Sequence, residues 1–201
     1  MVDFQQRDTQ RGEGGGGDAD QEKDAEEQTE SDDHHHHAHD IESVGAAVVT
    51  ISSSRNLDSD PSGDAIRDAF ETEGHRVVTR EVITDDFDQI QAATNQLVDR
   101  RDVDVLVTTG GTGVTQDDVT VEAIGPLFDK HLPGFGEEFR RQSMEDIGVR
   151  AIATRATAGV VEGVPVFVLP GSLDAVTLGV EELILPVVSH LAGLARPKHE
   201  R

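Results

Sequence analysis

The chain has 201 residues, 35% of them hydrophobic, and its 40 Asp and Glu outnumber its 17 Lys and Arg, which gives a formal net charge of −23. This length suits one ordinary domain with a sizeable core, and the charge would repel a nucleic-acid backbone. The absence of Cys excludes disulfides and thiol chemistry, and no uninterrupted apolar run approaches the ~18 residues of a membrane span. Without a signal peptide, we expect a cytoplasmic protein that binds neither nucleic acid nor a membrane.

Residues 1–42 differ in composition from the rest, with 14 acidic, 3 basic and only seven apolar side chains. Such a segment cannot bury enough apolar surface to offset the entropy of ordering, so we predict a disordered tail followed by one domain over residues 43–201. The tail carries a histidine tract, which fits either weak binding of Zn, Ni or Cu ions or a solvated low-complexity segment: His34, His35, His36, His37 and His39.

The acidic excess continues through residues 43–201, and only three of the cations in the whole chain are Lys. Compact, strongly hydrated carboxylates with few Lys suggest adaptation to high salt, where screening weakens self-repulsion. The alternative is an ordinary acidic protein that its charge keeps soluble.

From Ser43 onward, apolar runs that predict strands alternate with stretches that predict helices. Strands are predicted at residues 44–51, 75–83, 103–109 and 164–169. Helices are predicted from 61, at 87–98, from about 118, at 137–147 and from 174, with a kink at Pro186. Strands separated by helices imply right-handed crossovers and a doubly wound, mainly parallel sheet. In such folds ligands bind at the carboxyl ends of the strands.

A glycine-rich loop, Thr108-Thr109-Gly110-Gly111-Thr112-Gly113, directly follows the third predicted strand. Glycines allow positive φ, so the backbone N–H groups can turn toward one point and bind a phosphate or another anion. The loop matches neither the Walker pattern nor the GxGxxG pattern. A tight turn without a ligand is the alternative interpretation.

Acidic pairs follow two of the predicted strands. A carboxylate beside a phosphate nest would be repulsive unless a Mg²⁺ lay between them, so Asp117 or Asp118 could hold the metal of a nucleotide. Helix capping is the alternative. Asp85 and Asp86 end the second strand on the same sheet edge, although Asp86 could equally cap the next helix. Three such loops on one edge support a site better than any single loop.

Three further segments have open roles. The Pro170-Gly171-Ser172 turn offers either a second anion site or a Ser-capped helix start. Arg155 could grip a phosphate or pair with a surface acid. The segment Pro133-Gly134-Phe135-Gly136-Glu137 is predicted as a loop that opens a helix, with Phe135 in packing. No nucleophile elbow supports a serine hydrolase, and the scattered histidines have no partner spacing.

Taken in order, these motifs resemble the MoaB/MogA family of molybdenum cofactor biosynthesis. The matching segments are Ser52-Ser-Ser-Arg55, Ser62-Gly63, Gly74-His75, Asp85-Asp86, Thr108-Thr-Gly-Gly-Thr-Gly113, Asp118-Val-Thr120, Pro133-Gly-Phe-Gly-Glu137 and Pro170-Gly-Ser172. The resemblance runs from about residue 44 to 194 and leaves out the tail. It implies a three-layer α/β/α domain that assembles as a homotrimer or as a hexamer of trimers.

The resemblance also implies an enzyme, molybdopterin adenylyltransferase. The terminal phosphate of the pterin attacks the α-phosphate of Mg-ATP, pyrophosphate leaves, and a downstream metal-insertion enzyme uses the product. It assigns catalysis and Mg²⁺ binding to Asp85 and Asp118. Substrate contacts are implied for Ser62, Gly63, Gly110, Gly111, Thr112, Gly113, Glu137, Arg155, Gly171 and Ser172.

The chain departs from the family pattern at two places near the expected phosphates. Leu173-Asp174 stands where bacterial members often have a Lys, and Gln116-Asp117 stands where some members have two Arg. Both changes remove cations and predict weaker phosphate binding at low salt. Two alternatives remain: a non-catalytic pterin-binding carrier, and a CinA-like nucleotide-processing enzyme suggested by Thr115-Gln-Asp-Asp118. The motif at residues 133–137 and the lack of a second catalytic domain argue against the CinA-like enzyme.

Overall fold

The computed structural model describes residues 40–196. Nearly all of the predicted tail, with its histidine tract, lies outside the described residues. The elements within this range are β1 (Gly45–Ile51), α1 (Pro61–Thr72), β2 (Arg76–Ile83), α2 (Phe87–Val98), β3 (Val105–Thr109), α3 (Thr120–Ile124), β4 (Lys130–His131), α4 (Pro133–Ile147), β5 (Thr157–Val161), β6 (Val164–Leu169), α5 (Leu173–Thr177) and α6 (Leu185–Ala195).

The six strands form one sheet in the order β2-β1-β3-β6-β5-β4. The first four strands are parallel, whereas β5 pairs antiparallel with β6 and β4 pairs antiparallel with β5. The predicted doubly wound, mainly parallel sheet is therefore confirmed. The antiparallel edge was not predicted, because β4 has only two residues and the β5–β6 hairpin turns at Glu162-Gly163, where both residues have positive φ.

Both faces of the sheet are covered, which gives the three layers. Along β1 the side chains alternate: Ala46 and Val48 pack in one core cluster, and Ala47 and Val49 in the other. The first cluster includes side chains of α1, α4, α5 and α6, and the second includes side chains of α2 and α3. Strands buried on both faces are continuous apolar runs, which is why the parallel strands were recognisable.

Two helix boundaries differ from the prediction. The segment at residues 133–137 is the first turn of α4 and not a loop, because Pro133 takes the N-terminal position where its missing N–H costs nothing. Phe135 packs against Phe167, with ring centroids 5.1 Å apart, so its predicted packing role is confirmed. The helix expected from about residue 118 begins at Thr120.

The last helix runs without a break from Leu173 to Ala195 and is π-helical over Leu178–Ile184, just before Pro186. Proline lacks an N–H and collides with the preceding turn, and a widened turn relieves this. With a mean hydropathy of 1.5 over 18 residues, the helix is long and apolar enough to cross a membrane. The sequence analysis did not predict this property, because polar residues interrupt the apolar run. Its inner face packs on the sheet as in a core helix, through Val176, Val180, Ile184, Val188 and Ala192.

Candidate functional site

A cavity of about 1010 Å³ lies at the carboxyl ends of the parallel strands, as expected for this fold. The loops that follow β1, β2, β3 and β6 line it, together with residues 153–154. It brings together eight of the twelve predicted site residues: Asp85, Gly110, Gly111, Thr112, Gly113, Asp118, Gly171 and Ser172.

The glycine loop after β3 forms the floor of the cavity. Gly110 and Gly111 have φ of +105° and +63°, so the predicted positive φ is confirmed. A Cβ at Gly110 would overlap the carbonyl oxygen of Ile51, and one at Gly111 would overlap the hydroxyl of Thr120. That hydroxyl donates to the Gly110 carbonyl at 2.9 Å. The start of α3 therefore fixes a loop that only glycine can form.

Asp118 lies at one side of this loop. Its Oδ2 accepts from the backbone N–H and the hydroxyl of Thr115 at 2.9 and 2.6 Å, and a Cβ at Gly113 would lie 2.6 Å from the same oxygen. The side chain therefore closes a turn and does not cap α3. The hydrogen bond from the Thr115 hydroxyl is the main reason that the pKa of Asp118 lies below its ordinary value. Asp118 is ionised at neutral pH.

Asp85 lies at the other side of the loop. Its Oδ2 accepts from the Ser53 hydroxyl at 2.9 Å, and its Oδ1 lies 3.3 Å from the position of a Cβ on Gly111. The neighbouring Asp86 caps α2 by accepting from the N–H of Gln89 at 2.9 Å, as the alternative interpretation had it. No described Lys, Arg or His forms an ion pair with Asp85 or Asp118.

These carboxylates suit a metal that arrives with a ligand. Across residues 40–196 no group of three or more His, Cys, Asp or Glu side chains could hold a metal ion. Mg²⁺ commonly binds through one or two carboxylates plus the phosphates of a substrate and keeps several waters. Two carboxylates beside a glycine loop that offers backbone N–H groups fit this mode of binding.

Arg155, a predicted substrate contact, does not line the cavity. Its guanidinium donates to the carbonyls of Thr112 and Asp118, at 3.3 and 2.9 Å, and pairs with Glu122. This pairing holds the pKa of Glu122 below its usual range. Arg155 thus ties the glycine loop to the Asp118 loop from behind.

Three other predicted contacts also lie outside the lining. Ser62 is buried, and its hydroxyl donates to the Gly171 carbonyl at 3.0 Å. Gly63 has no room for a Cβ, which would overlap the carboxylate of Asp60, and its N–H donates to that carboxylate at 3.0 Å. Both residues therefore shape the wall. Glu137 is exposed on α4.

The sequence analysis assigned no role to Arg55, which lines the cavity. Its guanidinium donates to the Ser62 hydroxyl at 3.0 Å and to the Gly171 carbonyl at 3.3 Å. Its position in the loop that follows β1, at the carboxyl end of a parallel strand, was a usable signal. Arg55 belongs to the matching segment Ser52-Ser-Ser-Arg55, but a lone Arg in a polar loop has no spacing partner that would indicate its role.

The chain was compared with known proteins. A family model described as "Probable molybdopterin binding domain" matches residues 47–190. A Bacillus cereus protein named Molybdenum cofactor biosynthesis protein B is 42% identical over 151 residues, which cover 75% of this chain and 89% of that protein.

Two solved structures share the fold. A crystal structure of a Molybdenum cofactor biosynthesis protein B has a TM-score of 0.75 and 41% identity, and the match covers 79% of this chain and 98% of that chain. For the tungsten cofactor synthesizing protein MoaB from Pyrococcus furiosus, the TM-score is 0.70 and the identity 38%, with 78% and 99% covered. The order of the motifs, the fold and these matches agree, and the chain belongs to the MoaB/MogA family.

Proposed function

We propose that this protein acts in molybdenum cofactor biosynthesis and transfers the adenylyl group of Mg-ATP to molybdopterin. The observation that carries the proposal is the pair of carboxylates, Asp85 and Asp118, which flank a glycine loop and form no direct ion pair among the described residues. The pathway is supported by the relatives, which are named as cofactor biosynthesis proteins.

The reaction joins two phosphates. An oxygen of the pterin's terminal phosphate attacks the α-phosphorus of ATP, a new P–O bond forms, and the bond from the α-phosphorus to the bridging oxygen of the β-phosphate breaks. Adenylyl-molybdopterin and pyrophosphate are the products. Such transfers need alignment and charge neutralisation more than a covalent nucleophile. The cavity accordingly offers carboxylates and backbone donors.

The position of each residue suggests its role in this reaction. Asp85 and Asp118 would hold Mg²⁺, which, when bound, neutralises the triphosphate. The N–H groups of Gly111 and Thr112 would meet the phosphates, since the N–H of Gly110 donates to the Leu169 carbonyl and the backbone of Gly113 is hydrogen-bonded to Asp118. Arg155 keeps this loop in register with Asp118. Ser172 and Thr154 also line the cavity. Small-molecule binding sites commonly measure ~300–1,000 Å³, and a cavity of about 1010 Å³ lies at the upper end of this range.

The proposal includes the surroundings that the family resemblance implies. The protein assembles as a homotrimer or as a hexamer of trimers in the cytoplasm. A metal-insertion enzyme of the same pathway consumes the adenylylated pterin, because an adenylyl group is activated for a later displacement.

The test is direct. The full chain is incubated with molybdopterin, ATP and Mg²⁺ in concentrated KCl, chosen because the net charge is −23, and adenylylated pterin and pyrophosphate are quantified. We expect both products, and we expect Asp118→Ala to abolish them while pterin binding persists. Asp68→Ala, on the exposed side of α1, is the control and keeps the activity. Pterin binding without any product in the unaltered protein would instead support the carrier alternative and refute the enzyme.

A further inference from the structure

Arg55 is the one cationic side chain among the described residues that line the cavity. The same lining holds three carboxylates, Asp85, Asp117 and Asp118. The two substrates of the proposed reaction both carry negatively charged phosphate. With one cation and three carboxylates in the described lining, Arg55 is the side chain that can pair directly with a phosphate.

The guanidinium of Arg55 is held in place by neutral acceptors. It donates to the Ser62 hydroxyl and to the Gly171 carbonyl, at 3.0 and 3.3 Å. A guanidinium has five N–H donors, so three are left over by the contacts among residues 40–196. The two bonds hold the fork in a fixed orientation before any ligand arrives, which lowers the entropic cost of binding.

Arg55 is not required as the counter-ion of the nearest buried acid. Asp60 is 2% exposed, and Arg80 pairs with its Oδ2 at 3.2 Å. Thr50 and the N–H of Gly63 donate to the same carboxylate at 2.7 and 3.0 Å. Arg55 adds only a longer ion pair, with 3.8 Å between its Nη1 and Oδ1, which is beyond hydrogen-bond distance. Asp60 therefore has its partners without Arg55.

The guanidinium lies next to the glycine loop. Its acceptor Gly171 packs so closely on that loop that a Cβ there would lie 3.3 Å from the Cα of Gly110. A phosphate bound at this loop, where Gly111 and Thr112 supply the N–H groups not used by Leu169 or Asp118, is therefore a neighbour of Arg55. We propose that Arg55 is a phosphate-binding residue of this cavity and grips a phosphate of the nucleotide or the phosphate of the pterin. This inference rests on the proposed function, because it concerns the substrates of the same cavity.

The test measures binding, which does not depend on turnover. The full chain and the variants Arg55→Gln and Arg55→Lys are titrated by calorimetry with ATP and Mg²⁺, and separately with molybdopterin, at fixed KCl. Arg141→Gln is the matched control, because Arg141 is an exposed arginine of α4 that pairs with Glu138. Thermal unfolding of each variant shows whether it is folded.

We expect Arg55→Gln to bind one of the two ligands about 10- to 100-fold more weakly, as for the loss of a charged, bidentate hydrogen-bond partner. Arg55→Lys keeps the charge but loses the fork, so it recovers only part of the affinity. The ligand that loses affinity identifies the phosphate that Arg55 binds. The weakening becomes smaller as KCl rises, because screening reduces the charge contribution.

Unchanged affinity of folded Arg55→Gln for both ligands would overturn the inference. Full recovery of affinity in Arg55→Lys would overturn the bidentate grip. A protein that binds ATP through Arg55 but yields no adenylylated pterin would refute the proposed reaction and leave the assignment of Arg55 intact. The two failures are therefore distinguishable.

Discussion

Carboxylates lie at two places around the cavity, one in its wall and two on its floor, and they differ in what surrounds them. In the wall behind the cavity, Asp60 is buried and receives donors from Thr50, Gly63 and Arg80. On the floor, Asp85 and Asp118 are half-buried. Asp85 accepts from Ser53, and Asp118 accepts from Thr115 and from the backbone of Gly113. All three residues are aspartates, and each lies close to a glycine at which a Cβ would be crowded.

This difference separates a carboxylate that stabilises the fold from carboxylates that are available to bind a ligand. A buried charge is tolerated only when it is paired and hydrogen-bonded, so the partners of Asp60 are part of the fold. A half-buried carboxylate needs fewer partners, and the carboxylates on the floor form no direct ion pair among the described residues, so their charge is open to a ligand in the cavity. Removing a wall carboxylate should therefore affect stability, whereas removing a floor carboxylate should affect binding and turnover.

The largest effect on stability is expected at the wall. Asp60→Ala should lower the free energy of unfolding by about 3 to 5 kcal/mol, because Arg80 loses its buried partner and α1 loses its N-cap. Urea unfolding at fixed KCl measures this change.

Asp85→Ala is the matched floor variant in the same urea experiment. It should change the free energy of unfolding by no more than about 1 kcal/mol, since it breaks one exposed hydrogen bond and no described ion pair. Equal losses in the two variants would contradict the separation of wall from floor.

A smaller effect, on the rate of adenylyl transfer, is expected at Arg155, which lies behind the glycine loop. Arg155→Gln removes the donors that join the Thr112 and Asp118 carbonyls, so the glycine loop and Asp118 lose their register. Misplaced groups slow a transfer that depends on alignment, and we expect kcat to fall about 10- to 100-fold with little change in KM. Steady-state kinetics of pyrophosphate release measures both constants.

Glu122→Gln is the control for Arg155. It removes the ion pair but leaves both carbonyl contacts, so it should cost much less in kcat. A rise in KM at unchanged kcat for Arg155→Gln would mean that Arg155 contacts substrate, as the sequence analysis predicted.

The smallest effect is a shift in pH dependence on the floor itself. The Thr115 hydroxyl lowers the pKa of Asp118, so Asp118 keeps its charge to lower pH and stabilises the fold until the pH falls through that lowered value. Thr115→Ala raises the pKa toward its ordinary value, and the midpoint for loss of Mn²⁺ binding should move upward by less than about one pH unit.

This midpoint is measured by Mn²⁺ titration in the presence of ATP between acid and neutral pH. Thr72→Ala is the control, because Thr72 donates to a carbonyl within α1 and has no described contact with Asp118. A downward movement of the midpoint in Thr115→Ala would contradict the assigned cause.

Most of the parallel strands could be predicted from the sequence, because they are buried on both faces and are therefore continuous apolar runs. It also placed Gly110, Asp85 and Asp118 at one sheet edge, since parallel strands end together. It did not reveal β4 and β5, where two residues and a hairpin turn at Glu162-Gly163 give little pattern. Ser62, Gly63 and Arg155 were predicted to contact substrate, but they lie outside the lining and support the loops of the site from behind.

The amino-acid sequence by itself determined the fold class, the glycine loop and the acidic edge, because those follow from local periodicity, from positive φ and from strand direction. Only the tertiary structure decided which charges are already matched. Arg155 and Arg55 are both isolated arginines in the sequence, yet the first is used by Glu122 and two carbonyls and the second keeps donors toward the cavity. That distinction depends on contacts that join Arg155 to residues 33 to 43 positions away and Arg55 to Gly171, 116 positions away, which no local pattern encodes.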